Sequence, residues 1–155
     1  MHVFLVRHAE AVDETLTLRD PSRHLTARGR VQARELGIRL RWHDCHPTQL
    51  WSSPLVRAVQ TAELVLAGLG SDQPLEVIPA LAPDGSAREV VALLRGLRDA
   101  TDVVLVGHEP SLSAIGALLS GRRDFPALGK AEATRLDDGA PRWRFAWDAV
   151  APSRP

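Results

Sequence analysis

Four short apolar runs, Val3 to Val6, Leu50 to Ser52, Leu75 to Ile78 and Val103 to Val106, alternate with stretches of helical periodicity. That alternation restricts the chain to an α/β architecture. Parallel strands need long crossover connections, and the helices that supply them cover the faces of the sheet. Val103 to Val106 is the most apolar run and is expected at the centre of the sheet, buried on both faces. The last part departs from the pattern. Ala133 to Leu136, the Asp138-Gly139 turn and Trp143 to Trp147 read as a hairpin that closes one edge. The expected fold is therefore a three-layer α/β/α arrangement around a mostly parallel, mixed sheet.

The helices carry their own start and stop signals. Thr26 is an expected N-cap, and Val31, Leu36, Ile38 and Leu40 give the helix behind it one apolar side, ending near His43 to Pro47. Ser53-Pro54 reads as a cap followed by a first helical position. That helix carries Leu55, Val59, Ala62, Leu66 and Leu69 and stops at Gly68 to Gly70. Asp84-Gly85 turns the chain into Ser86 and Glu89, spaced as a capping box, with a helix to about Leu97. A last helix is expected from Ser111 to Leu119.

At 155 residues the chain is expected to form one domain over 1–150, with a flexible tail over 151–155. Formal net charge is zero, so no global field draws it to nucleic acid or to an anionic membrane. The single cysteine, Cys45, excludes an internal disulfide and suits a reducing compartment. No run approaches membrane-spanning length. A cytoplasmic monomer is the expectation. Lys130 is the only lysine, so nearly all positive charge is arginine, the better fork for phosphate oxygens. Only position separates composition from function.

Position is informative at three strand ends, where open α/β sheets bind their ligands. The first strand breaks into Arg7-His8, the second into Ser53 to Arg57, and the most apolar one into Gly107-His108. Two arginines and two histidines thus meet at one sheet edge, with Arg57 near a helix N-terminus that favours an anion. His8 reads as a nucleophile and Arg7 as a phosphate clamp. Taken singly, each has an alternative: Arg7 a surface ion pair, His8 a polar strand end, Arg57 a helix-surface residue, His108 a helix cap.

The residues together resemble the histidine phosphatase superfamily, which is phosphoglycerate mutase-like in fold. Leu5 to Glu10 is similar to its Arg-His-Gly signature, with Ala9 where glycine is usual, and Ser52 to Ala62 resembles its second phosphate-binding motif. Leu25 to Gly29 and Val106 to His108 follow in the family's order. The short length, His2-Val3-Phe4, and Val77 to Pro79 before a Pro-Asp-Gly turn are similar to the compact SixA type of phosphohistidine phosphatase. The resemblance implies two-step phosphoryl transfer through a covalent phosphohistidine on His8. It implies that Arg7, Arg57 and His108 bind and stabilise the phosphoryl oxygens, with Ser53 among the substrate-binding residues and no metal or other cofactor.

One departure bears on the substrate. Many members of the superfamily carry an acid in the loop after the third strand, where this chain has Ala80 to Gly85. Asp84 is adjacent, but Asp-Gly before a capped helix reads first as a turn. A missing acid favours phosphohistidine in a protein over an alkyl phosphate. The competing readings are a phosphatase for small phosphoesters or polyphosphate, a non-catalytic phosphate-binding regulatory module, and a metal hydrolase using His43-Asp44-Cys45-His46.

Overall fold

The computed structural model describes residues 1–98 and 102–150; the expected tail, 151–155, lies outside the described residues. The run at Val103 to Val106 is part of a strand (β4, Asp102–Gly107) that is buried at every position. It pairs in parallel with β1 (His2–Arg7) on one side and β2 (Gln49–Ser52) on the other. β3 (Leu75–Val77) lies parallel to β2 at one edge. The hairpin of β5 (Glu132–Asp137) and β6 (Ala140–Ala146) closes the other edge, with β5 antiparallel to β1. The order is β3-β2-β4-β1-β5-β6, the mixed sheet the alternation requires. Asp138 and Gly139 both have positive φ, as a tight type I′ hairpin turn demands.

Side-chain alternation divides the core into two layers. Val3, Leu5, Val103 and Leu105 pack against Val90, Val91 and Leu94 of α3 (Ala87–Gly96) and Leu112 and Ile115 of α4 (Ser111–Ser120). Phe4, Val6, Val104 and Val106 face Leu36 and Leu40 of α1 (Ala27–Trp42) and Ala58, Ala62, Val65 and Leu69 of α2 (Val56–Leu69). Each fully buried aliphatic side chain contributes about 1.5–3 kcal/mol of transfer free energy, so these layers supply the main stabilisation.

Local signals explain most boundaries. Thr26 Oγ1 accepts the Gly29 N–H at 2.9 Å, and Ser86 Oγ accepts the Glu89 N–H at 3.3 Å. Gly70 ends α2 in the left-handed region. Two helix faces differ from the sequence expectation. Val31 is exposed, and α1 instead buries Gln32, Ala33, Leu36, Gly37 and Leu40. On α2 the buried row is Ala58, Thr61, Ala62, Val65 and Leu69, displaced from Val59 and Leu66. The cause is how closely the two helices approach. A Cβ at Gly37 would lie 2.3 Å from the Val65 carbonyl oxygen, and one at Gly68 would lie 2.2 Å from that of Arg34. Small residues, not the most apolar ones, mark this contact. α2 also starts later than expected, with Leu55 rather than Ser53 at its N-cap and no side-chain cap bond.

Among the described residues no helix is long and apolar enough to cross a membrane.

Candidate active site

Arg7 closes β1 beside Gly107 at the end of β4, and the His8 N–H donates to the Gly107 carbonyl at 3.1 Å. The Ser53 N–H donates to the Val106 carbonyl at 2.9 Å, which brings the end of β2 to the same edge. Three parallel strand ends therefore converge. Arg57 reaches in from the first turn of α2, with its Nε 3.4 Å from His8 Nε2. The His8 and His108 rings lie 5.1 Å apart between centroids, tilted by 52°. All of the site residues expected from the sequence, Arg7, His8, Ser53, Arg57 and His108, belong to this one edge.

Hydrogen bonding fixes what each nitrogen can do. His8 Nδ1 lies 2.8 Å from the Ala9 carbonyl oxygen, an acceptor only, so Nδ1 carries the proton. Nε2 keeps its lone pair and receives the Arg57 Nε–H. Burial, before any other cause, lowers the His8 pKa to about 3, with the charges of His108, Arg57 and Arg7 acting in the same direction against the Ala9 hydrogen bond. Burial also lowers that of His108 to about 4. Both imidazoles are therefore neutral near pH 7, and the positive charge at this edge is that of the arginines. A neutral imidazole whose Nε2 carries no proton and meets only the Arg57 Nε–H, at 3.4 Å, is a competent nucleophile.

Arg7 Nη1 donates to the Leu128 carbonyl at 2.8 Å, while its buried Nε has no partner among the described residues. His108 Nε2 lies 2.8 Å from Ser53 Oγ, and its buried Nδ1 likewise has no partner among the described residues. With the Ser53 hydroxyl donating to Nε2, Nδ1–H is a second unsatisfied donor. Buried donors without acceptors cost about 1–3 kcal/mol each, a cost recovered when an oxyanion accepts from them. Ser53 itself is fully buried, and its Oγ also takes the Leu55 N–H at 3.3 Å. Its geometry braces His108, a different placement from the helix cap expected from the sequence.

Several residues of the site escape a reading by residue type. Thr61 Oγ1 donates to the Arg57 carbonyl at 2.7 Å and accepts the Ala9 N–H at 3.0 Å, tying the segment after β1 to α2. Its position one turn after Arg57 is the only signal it leaves in the sequence. Asp20, on a 3-10 turn (Asp20–Ser22), meets Arg57 through both its main-chain carbonyl and its carboxylate. Glu109 accepts the Leu128 N–H at 2.9 Å and so holds the carbonyl that Arg7 uses. Asp84 is exposed on the turn before α3. His43 packs against Trp143 and Phe145, Cys45 is buried with its thiol pKa pushed up by burial, and no group of three or more His, Cys, Asp or Glu converges as a metal site among the described residues.

The model of the histidine phosphatase superfamily (branch 1) matches residues 3–82 of the chain. The chain belongs to that superfamily. This histidine phosphatase is 36% identical over 114 residues to an uncharacterized protein of Picosynechococcus, across 72% of the chain and 68% of that protein. It is 31% identical over 121 residues to the phosphohistidine phosphatase SixA of Escherichia coli K12, across 77% and 74% of the two chains. The solved structure of the protein histidine phosphatase SixA complexed with tungstate matches its fold with a TM-score of 0.86 at 27% identity, covering 95% of this chain and 97% of that one. The phosphoglycerate mutase-like fold and the SixA type are therefore shared by sequence and architecture. Ala9, at the usual glycine of the signature, is fully buried and packs with Ala11, Leu25, Ala33 and Ala131.

The two depressed histidines give this histidine phosphatase an acid-sensitive fold. The unfolded chain takes up protons near the ordinary histidine value of 6.5, whereas folded His8 and His108 resist until about 3 and about 4. Between those limits the unfolded state binds more protons, so stability falls as pH drops from 6.5 towards 4. Each group contributes a slope of at most about 1.4 kcal/mol per pH unit. Urea unfolding from pH 7 to pH 4 is expected to show a steep loss in the wild type and a shallower one in the His8→Asn/His108→Asn double variant. Identical slopes would refute the assignment.

Proposed function

We propose that this phosphatase removes a phosphoryl group through a covalent phosphohistidine on His8, and that its preferred substrate is phosphohistidine carried by a protein. His8 Nε2 attacks phosphorus in line and forms a P–N bond. The substrate imidazole carries a proton from solvent on its other ring nitrogen; the bond from phosphorus to its phosphorylated nitrogen breaks, the electron pair returns to that nitrogen, and the imidazole leaves neutral. A second water oxygen then attacks the phosphoryl group on His8. The P–Nε2 bond breaks, Nε2 regains its lone pair, and phosphate leaves with the proton of that water passing to solvent. Arg7, Arg57 and His108 donate to the phosphoryl oxygens, where the transition-state charge is spread. No metal enters these steps.

The choice of substrate rests on how the two candidate acids, Asp84 and Asp20, are placed among the described residues. Asp84 faces solvent on its turn, and the carboxylate beside Arg57, that of Asp20, is held ionised by its hydrogen bond to Arg23 and by Arg57. An alkoxide leaving group needs a general acid, which contributes roughly 10²–10⁴ in rate. An imidazole nitrogen needs far less help. The similarity to the Escherichia coli phosphohistidine phosphatase supports the same choice. A single buried cysteine suits a reducing compartment, which supports a cytoplasmic setting for the proposed activity.

The test compares a protein phosphorylated on histidine, phosphoimidazole, nitrophenyl phosphate, an alkyl phosphate and polyphosphate. The phosphoramidates are expected to exceed the alkyl phosphate in kcat/KM by on the order of 10² or more, the contribution of the missing acid. Comparable values for the alkyl phosphate or polyphosphate would reassign the substrate. A single turnover that labels His8 and then stalls would instead identify a phosphate-binding regulatory module.

A further inference from the structure

The guanidinium of Arg57 is held from both sides. Its Nε faces His8 Nε2, while its other two nitrogens are taken up by Asp20. Nη1 donates to the Asp20 main-chain carbonyl at 3.0 Å, Nη2 to Oδ2 at 3.4 Å, and Nη1 also lies 3.4 Å from Oδ1. Asp20 is itself tethered. Arg23 Nη1 donates to Oδ1 at 2.9 Å, and Arg23 Nε donates to the Val12 carbonyl at 2.7 Å. A chain of contacts thus runs from the segment after β1, through Arg23 and Asp20, to Arg57 and the nucleophile. Arg57 is buried, whereas the Asp20 side chain is 41% exposed, so the carboxylate stands at the rim of the site.

Two physical consequences oppose each other. A planar guanidinium pinned at both Nη atoms cannot rotate, so its Nε–H edge stays aimed at the reacting nitrogen. The same carboxylate also offsets one positive charge. With His8 and His108 neutral, Arg7, Arg57 and, at the rim, Arg23 carry the positive charge of the pocket, and Asp20, paired with both Arg23 and Arg57, opposes it at close range. Its negative charge weakens the binding of any anion and penalises most the substrates that carry further negative charge beside the transferred group. A neutral or cationic leaving group escapes that penalty.

We propose that Asp20 is the positioning residue of Arg57 and sets the pocket's selectivity, giving up anion affinity for a fixed clamp and against polyanionic substrates. The inference rests on the reading that the pocket takes a phosphoryl group. Its test uses Asp20→Asn, which keeps an acceptor for Nη2 but removes the charge, and Asp20→Ala, which removes both. Three quantities are measured on the full chain: kcat with nitrophenyl phosphate, the inhibition constant of inorganic phosphate, and KM for a linear triphosphate.

Both variants are expected to bind phosphate more tightly, by roughly three- to tenfold at low salt, with a larger gain for the triphosphate that shrinks as salt is raised. Turnover is expected to fall about tenfold in Asp20→Ala and less in Asp20→Asn. Tighter binding with slower turnover is the split that a merely structural role does not produce. If phosphate binds no tighter, or turnover is unchanged, the assignment of Asp20 is overturned. If inorganic phosphate does not inhibit the wild type at all, the phosphoryl-site reading fails and this inference falls with it. Inhibition of the wild type with unaltered variants removes Asp20 alone.

Discussion

Replacing His8 with alanine is expected to reduce phosphatase turnover by roughly four orders of magnitude or more, because loss of a nucleophile removes the reaction path and not one stabilising contact. The variant should fold. The main-chain bonds of His8 to Gly107 and Ala131 do not involve its ring. Burial holds its pKa down to about 3, so the ring is neutral near pH 7 and carries no ion pair of the fold; its removal opens a small void and releases the Ala9 carbonyl and the Arg57 Nε–H. Quenching the wild type during turnover should trap phosphate on the protein in an acid-labile, alkali-stable form. The variant should trap none. Substantial turnover in His8→Ala, or label retained on another residue, would remove the covalent mechanism proposed above. His8→Asn is a useful partner, since it fills part of the volume and offers no imidazole nitrogen.

Which parts of this site can be read from residue types follows from how each part is built. Arg7-His8 and Gly107-His108 were legible because each ends an uninterrupted apolar run, and parallel pairing forces such ends to one edge. The register Arg7 to Gly107 realises that directly. Arg57 was legible for a related reason, since its helix follows a strand that ends at the same place. Asp20 was not. It is 37 residues from Arg57 in an irregular segment, with no period to place it, and one of its contacts uses the main chain. The Leu128 carbonyl beneath Arg7 is likewise invisible to any reading of side chains. Ser53 misled in a different way. Ser-Pro predicts a helix cap, but the helix starts at Val56, and the hydroxyl serves His108 instead. The buried faces of α1 and α2 were displaced because Gly37 and Gly68 let the backbones touch, and a search for the most apolar stripe passes over glycine.

Arg57→Ala is expected to lower kcat by about 10²–10³, the usual effect of losing one preorganised donor to a developing oxyanion. The expectation follows from where Arg57 Nε lies, 3.4 Å from His8 Nε2. A group that close to the attacking nitrogen meets the phosphoryl oxygens as the new P–N bond forms, so its contribution should grow in the transition state and appear in kcat. Arg57→Lys should recover only part of the loss. An ammonium supplies the charge, but it lacks the planar fork that lets Arg57 donate along Nε to the reacting group while both Nη positions are held by Asp20. Guanidinium ion added to Arg57→Ala should restore a measurable fraction of turnover, with no such rescue of His8→Ala. An unchanged kcat with a raised KM would overturn this role. Arg57 would then hold substrate and transition state equally, and the acceleration would have to come from Arg7 and His108.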